Sequence, residues 1–234
     1  MPVDNKFSER LDNIWQSPNF NLFFKTYSKT SSHLVKKGTI IFNEGDPLER
    51  IYFIKYGFVK LYRLSDQGRE TTIYLYGPGN ILGIRALTSE DECARHYAEA
   101  ITDLQMITLT KKEYLNILKE HPENIVDLLQ VFINRLNYTE RKLEGFIITD
   151  TTARVAYFLS DCAIRFGIKK NGKVELPLPL THQRIAEFVG SFRETVTLAL
   201  NKLEKAKLLK DIRGKITILD LKKLQKFSES NEKT

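Results

Sequence analysis

The chain has 234 residues, of which 42% are hydrophobic and 28% charged, and it carries a formal net charge of +7. This is the composition of an ordinary water-soluble protein with room for two domains, and no apolar run approaches the roughly 18 residues a bilayer-spanning helix needs, so a membrane role is excluded. Cys93 and Cys162, the two cysteines, stand far apart and without companions at metal-ligand spacing, which excludes a disulfide framework or a Cys-ligated cluster.

The first stretch, MPVDNKFSERLDNIW, has neither the apolar core of a secretory signal nor the Arg-rich, acid-poor character of a transit peptide, so the protein is expected to work where it is made. From Leu34 to Leu109 short β-branched and aromatic runs alternate with Gly, Pro, Asn and Asp, the pattern of strands in a small barrel or sandwich. Turn chemistry falls at Glu44-Gly45-Asp46-Pro47, Ser65-Asp66-Gln67-Gly68 and Gly77-Pro78-Gly79. Thr110 followed by KKEYLNIL predicts an N-capped short helix.

A long helix is predicted after Pro122. Ile125, Leu129, Phe132, Leu136, Thr139, Leu143 and Phe146 alternate spacings of four and three, the a/d seam of a coiled coil over three heptads. The seam serves dimerisation; Ile133 and Ile147 broaden it toward a helix that also packs on its own barrel. Thr149-Asp150-Thr151-Thr152 is polar and helix-capping, the expected joint to a second small domain. There, Ala153 to Phe166 reads as a helix with Val155, Phe158, Leu159 and Cys162 on one face, Gly167 to Pro179 as a turn, and LLKDIRGKITIL as a hairpin turning at Gly214. The resulting domains are 1–121, 122–148 and 149–234.

Between turn and hairpin, LTHQRIAEFVGSFRETVTLALNKLEKAKLL has the grammar of a helix-turn-helix. Thr181 caps a first helix with Ile185, Ala186 and Val189 inward, Gly190 allows the turn, and Ser191 is read as the cap of a second helix with Val196, Leu200 and Leu203 inward. Its outward face presents Arg193, Glu194, Thr197 and Asn201, side chains that reach base edges and phosphates. Residues 151–234 hold 17 Lys/Arg against 9 Asp/Glu, whereas residues 1–150 hold 19 against 20, so the positive charge belongs to this end. A polyanion partner, double-stranded DNA, follows from that placement, although a Lys-rich solvated surface gives the same count. Thr181, His182, Gln183, Ser191, Arg193, Glu194, Thr197 and Lys215 are the candidate DNA-binding residues, with Lys202, Lys205, Lys207, Lys210 and Arg213 as flanking phosphate contacts. An enzyme using the barrel as a metal site is disfavoured, because His33, His96, His121 and His182 are scattered; no catalytic residue and no metal is assigned.

In combination, GTIIFNEGDPLERIYFIKYGFVKLYR, GNILG, the long helix and IAEFVGSFRETVT resemble the Crp/Fnr family of bacterial transcription regulators from about residue 34 to 220. The stretches GDPLERIYFIKYGFVKLYR, INRLNYTE and LTHQRIAEFVGS look most like the family's nitrogen-control branch, found in cyanobacteria and red-algal plastids. The resemblance implies an α+β fold: a double-stranded β-helix sensor of the cyclic-nucleotide-binding type, a dimerisation helix and a C-terminal winged helix-turn-helix. It implies a homodimer on palindromic promoter sites, contact with RNA polymerase, and a place in bacterial cytoplasm or plastid stroma. It also implies an allosteric effector, 2-oxoglutarate, and no other cofactor.

Arg95, Arg135 and Glu140 match the branch's arginines and glutamate, and Gly83 and Ile84 its backbone-donating loop; Arg85 completes the candidate effector set. Cyclic-nucleotide binders carry an acidic residue where this chain has Ile84, and cluster-binding relatives carry N-terminal cysteines that are missing before Cys93. Leu82 replaces an aromatic residue, Arg85 an apolar one, and Leu198 an arginine of the recognition helix. Alternative readings stay open: Arg135 and Glu140 as a g-to-e pair between two helices, Arg95 as a surface charge beside Glu92 and Glu99, and the fold acting constitutively or with another effector.

Overall fold

A computed structural model describes residues 32–87, 93–147 and 150–230. It divides into two compact units, one containing the described residues up to Arg63 with Tyr74–Leu136, the other Leu64–Ile73 with the described residues from Asn137 onward.

The first unit is built from two antiparallel four-stranded sheets. Strands β1 (Ser32–Val35), β8 (Leu104–Thr110), β3 (Arg50–Tyr56) and β6 (Ile81–Leu82) form one in that order; β2 (Ile40–Phe42), β7 (Tyr97–Ala100), β4 (Val59–Leu64) and β5 (Glu70–Tyr76) form the other. Of the small barrel or sandwich that the strand pattern predicts, the sandwich is what forms. Alternation puts Ile51 and Phe53 of β3 into the core against Ile107 and Leu109 of β8, where they join Ile81, Ile84, Tyr114 and Ile117. Of the turn glycines, Gly45, Gly68 and Gly79 all have positive φ, as their positions between strands require. Helix α1 (Lys111–Glu120) starts in a reciprocal capping box: Glu113 N–H donates to Thr110 Oγ1 at 3.2 Å and Thr110 N–H to Glu113 Oε2 at 2.7 Å.

Helix α2 (Asn124–Ile147) carries two apolar stripes. Leu128 and Val131 pack on the sandwich core. The seam residues Ile125, Leu129, Phe132, Leu136 and Leu143 are 42–62% exposed in a single chain. Ile133, read from the sequence as part of the sandwich-facing side, is half exposed, so Leu128 and Val131 take the role assigned to it. The side chains of Phe146 and Ile147, like Thr149 and Glu92, lie outside what is described.

In the second unit, Asp150 caps α3 (Thr151–Phe166), accepting from Ala153 N–H at 3.1 Å, and Val155, Phe158, Leu159 and Cys162 are buried as the helical spacing predicts. Helices α4 (His182–Val189) and α5 (Arg193–Lys205) follow, and α6 (Leu221–Ser230) packs with α5 against α3. A sheet of β11 (Leu209–Ile212), β12 (Lys215–Ile218), β10 (Lys173–Glu175) and β9 (Ile168–Lys170) closes the unit. The sequence reading treats 167–179 as a turn; the structure has the hairpin β9–β10 there, turning through Asn171 (φ 49°) and Gly172 (φ 74°). The predicted hairpin at Gly214 is β11–β12, whose two-residue turn Arg213-Gly214 has positive φ at both positions, as a type I′ turn demands.

Candidate functional site

The sandwich unit gathers cations around one histidine. His96, half buried just before β7, is held below the ordinary histidine range by its burial and by the guanidinium groups of Arg135, Arg63 and Arg85, with Glu44 opposing them. These charges arrive from four places in the chain: β4 gives Arg63, the 3₁₀ turn Ile84–Leu87 gives Arg85, the segment before β7 gives His96, and α2 gives Arg135. Arg63 also pairs with Glu44 at 2.9 Å. The Arg135 guanidinium lies over the rings of Tyr74 and Tyr76, 5.6 and 5.8 Å from their centroids. Cation–π contact fixes the plane of the guanidinium. Guanidinium groups of this kind favour anions as ligands.

The other sequence-predicted effector residues are distributed unevenly. Gly83 has φ +73°, and a Cβ there would stand 2.3 Å from the Arg50 carbonyl oxygen, so the loop requires glycine. Ile84 sends its side chain into the sandwich core, so it can offer a ligand only main-chain groups. Arg85 is half buried, whereas Arg95 and Glu140 are exposed. Arg135 and Glu140, five positions apart on α2, point about 140° apart around the helix axis and cannot pair within one helix. Arg63, Tyr74 and Tyr76 are not singled out by the sequence reading, which weighs His96 only as a metal ligand. A signal existed in the i, i+2 spacing of Tyr74 and Tyr76, which puts both rings on one face of a strand.

In the second unit Thr181 caps α4 through its hydroxyl, which accepts from Arg184 N–H at 3.2 Å, and Gly190 ends the helix in the left-handed region at φ 66°. The expected Ser191 cap on α5 is not formed: Phe192 is the N-cap residue and makes no side-chain cap bond. Ser191 instead donates its N–H to the Ala186 carbonyl, in the turn, and its own carbonyl accepts from Arg69 Nη2 at 3.3 Å. Arg69 lies in Leu64–Ile73, the β4–β5 tip, which belongs to this same unit. The tip is also held by Lys142, whose Nζ donates to the carbonyls of Thr72 and Ile73 at 2.7 and 3.0 Å; burial pushes this ammonium down to about 8.

Helix α5 buries Val196, Ala199, Leu200 and Leu203 and exposes Arg193, Glu194, Thr195, Leu198 and Asn201. Thr197, expected on the outward face, is half buried; its hydroxyl bonds the Arg193 carbonyl at 2.9 Å and His182 Nδ1 at 2.7 Å. Gln183 is exposed and donates to Glu187 at 2.9 Å. Lys202, Lys205, Lys207, Lys210, Arg213 and Lys215 are all exposed, giving the recognition helix and hairpin a basic border. No helix among the described residues is long and apolar enough to cross a membrane.

Two family models match the chain, a cyclic nucleotide-binding domain over residues 33–121 and a Crp-like helix-turn-helix domain over 153–227. Among curated relatives, the global nitrogen regulator of Synechocystis is 34% identical over 179 residues, covering 76% of this chain and 80% of that protein. The CRP-like cAMP-activated global transcriptional regulator of Mycobacterium tuberculosis is 34% identical over 165 residues, covering 70% and 73%. Among solved structures, a CRP/FNR-family transcriptional regulator from Thermus thermophilus matches with a TM-score of 0.69 and 30% identity, over 86% of this chain and 99% of that one.

Proposed function

Since the chain belongs to the Crp/Fnr family of DNA-binding transcription regulators, we propose that it is a nitrogen-control regulator that binds palindromic promoter sites as a homodimer when 2-oxoglutarate binds beside Arg135 and His96. The observation that carries the reading is the Arg135 guanidinium held over Tyr74 and Tyr76, with Arg85 and the Glu44-paired Arg63 close enough to act on the same His96. Two carboxylates neutralise such a site better than the single phosphodiester charge of a cyclic nucleotide. The buried apolar side chain of Ile84 has no acceptor for a ribose hydroxyl. The nitrogen-regulator relatives point the same way.

The seam of α2 supplies the dimer, and across it Glu140 of one copy is the carboxylate that holds Arg135 of the other. Effector binding beside Arg135 then shifts the two helices relative to one another and sets the two recognition helices one DNA turn apart. Arg193 and Glu194 read bases from α5. Thr181, Gln183 and Lys215 hold phosphates, Ser191 supports the turn, and His182 with Thr197 holds α5 in register. Contact with RNA polymerase and activation follow on the bound site. Work in bacterial cytoplasm or plastid stroma suits this role.

The test is a titration of duplex DNA by fluorescence anisotropy at fixed salt, with and without 2-oxoglutarate, beside calorimetry with 2-oxoglutarate and with cAMP. Tighter DNA binding with 2-oxoglutarate, lost in Arg135→Ala, supports the reading. Heat from cAMP alone, or DNA affinity indifferent to both, replaces it by a cyclic-nucleotide-responsive or a constitutive regulator.

A further inference from the structure

The outward ridge of α5 runs Glu194, Leu198, Asn201, Lys202 and Lys205, at helical spacings that place them on one side of the helix. All but Leu198 are polar or charged. Leu198 is 69% exposed, more than Phe192, Ile164 or Ile212, the other exposed large apolar side chains of the second unit from α3 onward. The protein core is served by the opposite face, through Val196, Ala199, Leu200 and Leu203. A leucine in this position buries little when the chain is alone, and its surroundings say what covers it. Lys202 and Lys205 continue the ridge with positive charge, Lys210, Arg213 and Lys215 are exposed on the hairpin that follows the helix, and Glu194 stands one helical turn before Leu198. Basic borders fit phosphates, and an isolated carboxylate inside such a border fits the exocyclic amino groups of the major groove. In that groove the one apolar group a base presents is the C5-methyl of thymine.

We infer that Leu198 is a specificity-determining residue that packs on a thymine methyl, in the base step beside the one Glu194 reads. This rests on the reading of α5 as the helix that enters the major groove. The half-site then carries a required T·A pair at that step.

The experiment uses the full chain and a duplex selected by it from a randomised pool. Each thymine of one half-site is then replaced in turn by deoxyuridine, which deletes the methyl and keeps every hydrogen-bonding group. At one position the wild-type chain should lose about four-fold in affinity, the factor that burying one methyl-sized group supplies. Leu198→Ala should bind the thymine and deoxyuridine duplexes equally, with its salt dependence unchanged, and Leu198→Met should restore the difference. Indifference of the wild type to every thymine methyl, or an undiminished difference in Leu198→Ala, overturns the inference while leaving salt-dependent DNA binding intact. If Arg193→Ala also binds the selected duplex like wild type, the reading of α5 as the groove helix falls with it.

Discussion

His182 Nε2 lies 2.8 Å from Asp211 Oδ2, and this bond joins the first helix of the helix-turn-helix to the hairpin behind it. The other ring nitrogen meets Thr197 Oγ1 of the recognition helix at 2.7 Å, so one imidazole ties three elements together. Asp211 extends the network: its Oδ1 accepts from Gly214 N–H at 2.8 Å inside the hairpin turn, and its own N–H donates to Glu204 Oε1 at 2.7 Å. Satisfied networks of this kind fix the relative placement of the elements they join.

Breaking the network should therefore loosen the DNA-reading surface without touching it. Asp211→Ala leaves His182 Nε2 and Gly214 N–H without their acceptor, and the loss of such part-buried bonds costs about 1 kcal/mol. Urea unfolding of the full chain followed by circular dichroism should show that loss. Affinity for DNA should fall as well, whereas Lys223→Ala, on an exposed i, i+3 pair with Asp220, should leave both within error.

Much of this arrangement is legible in local chemistry. Thr110, Asp150 and Thr181 cap helices because their side chains compete for free N–H groups, and that competition is decided within four residues. Asn171-Gly172 carried the same kind of signal for a type I′ hairpin, although the surrounding Lys-rich, weakly alternating residues hide the strands. Ser191 fails as a cap because the chain needs one more extended residue, Phe192, before it can enter α5. Thr197 shows where periodicity stops being informative: its helical position is near the border of the outward face, and His182 arrives from another helix to take its hydroxyl. The convergence of Arg63, Arg85 and Arg135 on His96 is of the same kind, since it depends on how two sheets and a helix meet.

The exposed seam of α2 makes a prediction about assembly. Leu129 and Leu136 are 55% and 58% exposed in one chain, so charging them should leave the fold of that chain nearly unchanged. In the double variant Leu129→Glu/Leu136→Glu, a coiled-coil seam would carry facing carboxylates at its centre. Multi-angle light scattering should read the mass of a single chain, near 27.1 kDa, where the wild type reads twice that. Affinity for a palindromic site should drop by about a hundred-fold, because the second recognition helix no longer binds as part of the same particle.

The two cysteines should differ sharply in reactivity. Cys162 is buried in α3 and its thiol is pushed far up by that burial, whereas Cys93 is exposed. Thiolates are the reactive form, so Cys162 reacts only when the second unit opens. A thiol reagent under native conditions should modify one cysteine quickly, and peptide mapping should identify it as Cys93. The second equivalent should appear with the unfolding transition in urea, which turns Cys162 into a reporter of that unit's stability.

His96 links the sandwich unit to pH. Burial and three guanidinium groups depress its folded pKa below the value of 6.5 expected for the unfolded chain, so on acidification the unfolded state takes up the proton first. The contribution of His96 to stability is accordingly present above pH 6.5 and is lost as pH falls through that value toward the depressed one. Thermal midpoints measured from pH 7.5 to 5.5 should fall more steeply for wild type than for His96→Gln. A bound dicarboxylate reverses the local balance, because its charge favours the imidazolium that the arginines disfavour. Binding of 2-oxoglutarate should then be accompanied by proton uptake and should tighten as pH is lowered toward 6. Calorimetry in two buffers of different ionisation enthalpy measures that uptake directly, and in His96→Gln the uptake should vanish while binding persists.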